Sequence, residues 1–339
     1  MLRGKPDRTA LQGKTPASRV HVSQILPFAE VSCRATFRTG GRLPSFRGPT
    51  LRGGLGFHLK RAVCHVRASR CEDCIVRGTC AYSYVFEGVP PEGRTFMQLY
   101  PNVPQPFVML TRFDEPEDVE PGGELEFGLR LFGRAIELFP YVAYSLIELG
   151  KEGLGRGRIK FDIQEINQPS QSIAVFRRSS NKLGTLKKEV VRIDGSPAGT
   201  GHITIEFVTP LRLRVAGREA RKVSFSDLIR AAVRRLSIMT QFYGLPLADA
   251  LDTSQLLSGC EAVEVVEDNT QWFEFRRYSG RQKRRVPMGG LIGSMTFVGN
   301  LSKYLPLLEL AQVTNLGKAT SFGFGRFKVS SDDKLGIGE

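Results

Sequence analysis

The chain has 339 residues, 41% of them hydrophobic and 24% charged, proportions near the globular average that exclude collagen-like, coiled-coil and wholly disordered classes. At roughly 100–200 residues per domain, two domains with a sizeable core are expected. The formal net charge of +14 calls for a polyanionic partner, nucleic acid first and an anionic membrane surface second. The excess is uneven: residues 1–80 carry fifteen Lys or Arg against four Asp or Glu, whereas Asp114–Glu126 is acidic and holds no base. No apolar run approaches the roughly 18–20 residues of a spanning helix, and Met1-Leu2-Arg3-Gly4-Lys5-Pro6 lacks the apolar core of a signal peptide, so a cytoplasmic protein is expected.

Residues 1–17 mix Arg, Lys, Gly, Pro, Thr and Ser with little apolar content and read as a flexible basic arm. Arg19 to Phe37 is mostly extended, Gly40-Gly41-Arg42-Leu43-Pro44 interrupts it, and Leu51 to Val63 reads as a helix. A Cys-rich insertion over 63–87 follows, then strands over Pro106–Leu110 and Leu125–Phe132. Ile136, Phe139, Val142, Leu146 and Leu149 recur at helical spacing, with Gly150 placed to end that helix. Residues 169–200 carry no clear pattern and read as a linker. In the second half, Ile203, Ile205 and Phe207 alternate as in a strand, and Phe225, Leu228, Ile229, Ala232, Leu236 and Met239 share one helix face. Glu261–Glu267 and Gln271–Tyr278 suggest a hairpin over Asp268-Asn269. A strand at Leu291–Val298, a helix at Leu305–Val313 and a strand at Arg326–Val329 complete the series.

The halves repeat one wording. Leu149-Gly150-Lys151 leads after five residues to Gly157-Arg158-Ile159-Lys160-Phe161; Leu316-Gly317-Lys318 leads after six to Gly325-Arg326-Phe327-Lys328-Val329. Two β-α-β-β-α-β units fit the element order and the length. The expected class is α+β, with one unit over 18–168, a second over 201–331 and a tail at 332–339.

Several segments carry chemistry. Gly153, Gly155 and Gly157, and again Gly317, Gly323 and Gly325, allow a loop to approach a phosphate backbone closely. They follow helices and precede strands, which disfavours a dinucleotide fingerprint. Arg276, Arg277, Arg281, Lys283, Arg284 and Arg285 are interleaved with Trp272, Phe273, Phe275 and Tyr278, a mixture suited to stacking on bases while neutralising phosphates. Cys64, Cys71, Cys74 and Cys80 place four thiols within seventeen residues. In a reducing compartment these suggest tetrahedral zinc, with an iron–sulfur cluster as the alternative. Cys33 and Cys260 read as buried free thiols. Four histidines are present: His21, His58, His65 and His202. His65 adjoins Cys64, and His202 shares the outward face of its strand with Thr204 and Glu206.

Arg276-Arg277-Tyr278-Ser279-Gly280-Arg281-Gln282, then Pro287-Met288-Gly289-Gly290-Leu291-Ile292-Gly293, then Gly317 through Gly325-Arg326-Phe327 resemble the C-terminal signature of the CRISPR precursor-RNA processing endoribonucleases of the RAMP superfamily. The resemblance extends back through Cys80-Ala81-Tyr82, Leu59-Lys60-Arg61, Gly56, Leu51-Arg52-Gly53, Gly48 and Leu43-Pro44. It implies two ferredoxin-like domains whose cleft and glycine-rich loops hold repeat RNA. RNA contacts are then expected at Arg52, Arg276, Arg277, Tyr278, Arg281, Lys283, Arg284, Arg285, Gly317, Lys318, Gly323, Gly325 and Arg326. The implied reaction is metal-independent attack of a ribose 2′-OH on the adjacent phosphate, so any zinc on the cysteines would be structural. It asks for a base, an acid and cations around the phosphorane. His58 is the expected catalytic histidine, with Lys60 and Arg61 beside it. The alternative is a non-catalytic RNA-binding subunit of a CRISPR effector complex, with other subunits as partners; a monomer or homodimer is compatible with either. A zinc-dependent nucleic-acid regulator explains the cysteines and charge but neither the repeated glycine loops nor the C-terminal signature.

Overall fold

A computed structural model describes residues 25–66, 70–90, 93–98, 102–190, 201–247, 252–279 and 284–331. The expected basic arm and tail, His21, Arg281 and Lys283 lie outside them. The first half runs β1 (Phe28–Phe37), α1 (Gly48–Val63), β2 (Phe107–Leu110), β3 (Glu124–Phe132), α2 (Phe139–Glu152) and β4 (Phe161–Gln168). Alternation along β1 buries Ala29, Val31, Cys33, Ala35 and Phe37 beneath the helices, as a strand with one covered face requires. β1 pairs antiparallel with β3, Phe28 opposite Phe132, and with β4, Phe37 opposite Phe161. The order β2-β3-β1-β4, antiparallel throughout, is that of a ferredoxin-like sheet. Residues 169–190 do not form the expected linker. They add β5 (Ile173–Arg177) and β6 (Lys182–Leu183) to the β4 edge, and Glu189 returns to hydrogen-bond Phe28.

The second half repeats the order with β7 (His202–Leu211), α3 (Phe225–Tyr243), a short α4 (Thr253–Gly259), β8 (Glu264–Asp268), β9 (Gln271–Phe273), β10 (Arg276–Ser279), β11 (Arg284–Pro287), β12 (Gly290–Val298), α5 (Leu305–Thr314) and β13 (Phe327–Ser331). Ser224 and Asp227 form a reciprocal capping box that starts α3 where its apolar stripe begins. The sheet order is β8-β12-β7-β13. The hairpin expected between Glu261–Glu267 and Gln271–Tyr278 does not form. β8 and β9 both pair with β12, and Asp268 accepts hydrogen bonds from the Thr270 amide and hydroxyl, turning the chain along the same partner. β10 and β11 instead make a separate two-stranded ribbon, Arg276 opposite Pro287.

Two apolar clusters join the halves. Met239 and Tyr243 of α3 pack with Phe28, Val108 and Phe132. Phe46, fully buried ahead of α1, meets Phe113, Phe275 and Phe324 edge-on with ring centroids 5.2–6.0 Å apart. Arg130 of β3 adds a polar tie, donating to the Gln312 carbonyl at 2.6 Å at the end of α5 while pairing with Glu30 at 2.5 Å.

Candidate functional site

The two glycine-rich loops take different shapes. The first closes on itself: Leu154 and Ile159 exchange backbone hydrogen bonds at 2.8 and 3.0 Å, a tight connection between α2 and β4. The second projects a short 3₁₀ turn, Thr320–Phe322, toward the other half. It is pinned from behind by Thr209, whose hydroxyl donates to the Gly323 carbonyl at 2.7 Å, and by buried Asn315, whose amide donates to the Phe324 carbonyl at 3.0 Å. Gly323 and Gly325 have φ of +92° and +70°, a conformation open to glycine and strained for side chains. Gly48, at the start of α1, receives this turn: a Cβ there would lie 2.2 Å from the Phe322 carbonyl oxygen.

That close approach builds the seam. The Arg52 guanidinium lies 4.2 Å from the Phe322 ring centroid and 5.1 Å from that of Phe86, and its Nε donates to the Ser321 hydroxyl at 3.0 Å. Arg277, from the ribbon, lies over the same Phe322 ring at 4.5 Å. One aromatic ring therefore carries a cation from each half. Burial, then the neighbouring Arg277 charge, lowers the Arg52 pKa to about 10, with Tyr82 and Glu87 acting in the opposite sense. Arg277 is also lowered by burial. Two half-buried cations this close are costly in isolation and favour an anion placed between them.

Farther along the same face of α1, Gly56 meets the Phe86 ring, where a Cβ would lie 2.5 Å from it, and the Lys60 ammonium lies 5.6 Å from the Tyr82 ring centroid. Tyr82 stacks on Phe86 with planes 3° apart, at the start of a π-helical turn over Ser83–Glu87. It also hydrogen-bonds Glu87, and burial first, then that carboxylate, push its phenol up to about 12. Sequence reasoning gave Tyr82 only within the Cys80-Ala81-Tyr82 resemblance, not as a site residue, and did not name Glu87. Their signal was only the aromatic and acidic ends of a segment whose cysteines dominated the reading.

The expected trio of His58, Lys60 and Arg61 does not converge. Residues two apart on a helix point about 200° apart, so Lys60 faces Tyr82 while His58 turns toward α2. His58 is 5% exposed, with Nε2 4.0 Å from Glu152 Oε2, and Arg61 pairs with the other oxygen of that carboxylate. Burial lowers the His58 pKa more than Glu152 raises it. As placed, His58 is a packed, neutral imidazole between two helices rather than a group presented to a ligand.

Arg276 and Arg284 are exposed on the ribbon, and Tyr278 pairs with Arg285 across it. Lys318 is exposed beyond Gly317, its pKa lowered by burial and by Arg214, Arg212 and Arg234, so a second basic cluster flanks the loop. Arg326 is half-buried behind it, its backbone amide donating to the Thr209 hydroxyl at 2.9 Å. Cys33 and Cys260 are buried free thiols. Cys64, Cys71, Cys74 and Cys80 line one cavity of about 400 Å³ with His65. Four soft thiol donors suit zinc chemically. Among the described residues, however, no three His, Cys, Asp or Glu side chains gather as a metal site, so the present arrangement does not fit one. His202 is exposed on β7, away from the seam.

Comparison with known proteins bears on both halves. Residues 26–189 match a family model described as an N-terminal domain, and residues 205–327 match that of the CRISPR-associated endoribonuclease Cas6. An uncharacterized protein of Archaeoglobus fulgidus is 25% identical over 299 residues, spanning 85% of this chain and 93% of that protein. A Cas6 product complex superimposes with a TM-score of 0.51 at 16% identity, covering 90% of this chain and all of that one. Thermus thermophilus Cas6 does so at 0.50 and 12% identity, covering 90% and 99%. These superpositions share the tandem ferredoxin-like fold. The chain thus shares the tandem ferredoxin-like fold of these structures, and its C-terminal half, over residues 205–327, is similar to the CRISPR-associated endoribonuclease Cas6 family.

Proposed function

We propose that this protein binds CRISPR repeat RNA across the seam between its halves and cleaves the precursor transcript into guide RNAs. The observation that carries the reading is the Phe322 ring contacted by both Arg52 and Arg277, where half-buried cations from both halves converge on one half-buried aromatic. Guanidinium planes and an aromatic ring are the groups that hold single-stranded RNA by phosphate neutralisation and base stacking. The similarity of residues 205–327 to the CRISPR-associated endoribonuclease Cas6 family supports RNA as the ligand. Arg276, Arg284 and Lys318 extend the basic track, with Gly317, Gly323 and Gly325 letting the backbone follow it.

The cleavage we infer is attack of a ribose 2′-OH on the adjacent phosphate, giving a 2′,3′-cyclic phosphate and a 5′-OH. It needs no metal, because Arg52, Arg277 and Lys60 supply the positive charge the phosphorane requires. The cysteine cavity has no part in it. Burial of His58 also favours a second reading, a subunit that holds repeat RNA without cutting it. Incubation with the genomic repeat RNA in excess EDTA, with the product ends mapped, separates the two. A single cut leaving cyclic phosphate and 5′-OH supports the nuclease; tight binding with intact RNA supports the subunit, and no binding overturns both.

A further inference from the structure

We propose that Tyr82 and Glu87 are the catalytic acid–base pair of this ribonuclease, placed between the Arg52 and Lys60 cations on the seam face of α1. The inference rests on the cleavage reading above and names the groups that move the proton. Four placements carry it. Tyr82 and Glu87 hydrogen-bond each other across the π-helical turn, a backbone form that often marks functional sites. The Tyr82 ring stacks on Phe86, which also meets Phe107 and the Arg52 guanidinium. Lys60 closes the far side. All four polar side chains are half-buried rather than sealed, and Arg52 places them next to Ser321 and Phe322 of the glycine-rich loop.

His58 cannot share this position, because it faces α2 on the opposite side of the same helix. The reaction needs a group that takes the 2′-OH proton and one that gives a proton to the 5′-oxygen. Glu87 carboxylate accepts the proton as the 2′-oxygen–phosphorus bond forms. Tyr82 donates its phenolic proton as the phosphorus–5′-oxygen bond breaks. The proton now on Glu87 passes along their hydrogen bond to the Tyr82 phenolate, which restores both groups. The net result is transfer of one proton from the 2′-oxygen to the 5′-oxygen, with no other reactant. Arg52 and Lys60 stabilise the phosphorane and the transient phenolate.

The test uses the full-length protein and its genomic repeat RNA, made with either the normal 5′-oxygen or a bridging 5′-sulfur at the scissile phosphate. Sulfur leaves without protonation, so loss of a general acid is rescued by it. Tyr82→Phe is expected to slow cleavage of normal RNA at least 100-fold, to cleave the sulfur substrate within 3-fold of wild type, and to bind RNA within 3-fold of wild type. Glu87→Gln is expected to slow both substrates, because the base is still needed. If wild type cleaves and Tyr82→Phe cleaves normal RNA equally well, the assignment is overturned while the nuclease reading stands. A Tyr82→Phe defect that is equal on both substrates also overturns it, since that marks a structural role. If wild type binds but cleaves neither substrate, the nuclease reading falls and this inference with it.

Discussion

Arg52 and His58 sit on one helix and receive opposite treatment from the fold. Arg52 is not replaceable by another cation, because its flat guanidinium lies against Phe86 and Phe322 while Nε reaches Ser321; a lysine ammonium has no plane to stack. Arg52→Lys is therefore expected to weaken repeat-RNA binding nearly as much as Arg52→Ala, by ~1–3 kcal/mol for a lost specific contact, in equilibrium titrations at fixed salt. A lysine variant that binds like wild type would show that charge alone matters. For His58, burial lowers the folded-state pKa below the unfolded value, with Glu152 and Glu148 opposing and Arg61 reinforcing the shift. The unfolded chain then binds the proton more readily, so the stability present above about pH 6.5 is lost as pH falls through the folded pKa. Thermal unfolding of wild type from pH 7.5 to 5 should show this loss, and His58→Asn should flatten it. The residue type was legible in the sequence and its environment was not: a spacing of two tells that Lys60 and His58 diverge, but not which of the two faces the seam.

At the scale of elements, α1 is shaped by its glycines, and the reasons differ along it. At Gly48 a methyl group would meet the Phe322 carbonyl, a backbone atom that cannot step aside, whereas at Gly53 nothing lies within 4 Å. Gly48→Ala should separate the helix from the second loop, lower the melting temperature and weaken RNA binding, at a cost of ~1–3 kcal/mol typical of overpacking. Gly53→Ala, on an exposed turn of the same helix, should raise stability by up to ~1 kcal/mol through helix propensity. The pair distinguishes close approach from mere glycine flexibility in a single calorimetric comparison. The repeated wording around Gly157 and Gly325 made both helix–loop–strand units readable in advance, because identical local chemistry gives similar local turns. It did not reveal that one extra residue lets the second loop form a 3₁₀ turn that crosses to α1, since that partner is about 270 residues distant in sequence. The missed hairpin at Asp268-Asn269 has the same origin: two strands that look like neighbours both find a better partner in β12, which follows them.

For the whole molecule, the proposed function rests on the relation between the halves, because Arg52 belongs to the first and Arg277 and Phe322 to the second. The overall class and the order of elements could be read from alternation and helical spacing, which are local signals. The seam could not, because its residues come from α1, the ribbon and the second loop, and no periodicity marks an encounter between distant segments. Phe46 holds this seam from below: it is fully buried, and its three aromatic partners come from a loop of the first half and from two segments of the second. Phe46→Ala should cost ~3–5 kcal/mol, as expected for emptying a buried aromatic site. Its effect on RNA should exceed the fraction of protein unfolded, since Arg52 and Arg277 would lose their common platform on Phe322. A double variant with Arg277→Ala checks this. If the seam is one unit, Arg277→Ala should weaken binding by ~10-fold in the wild-type background and far less once Phe46 is gone, the non-additivity expected of residues that act through one structure. Equal effects in both backgrounds would mean that the two halves contact RNA independently.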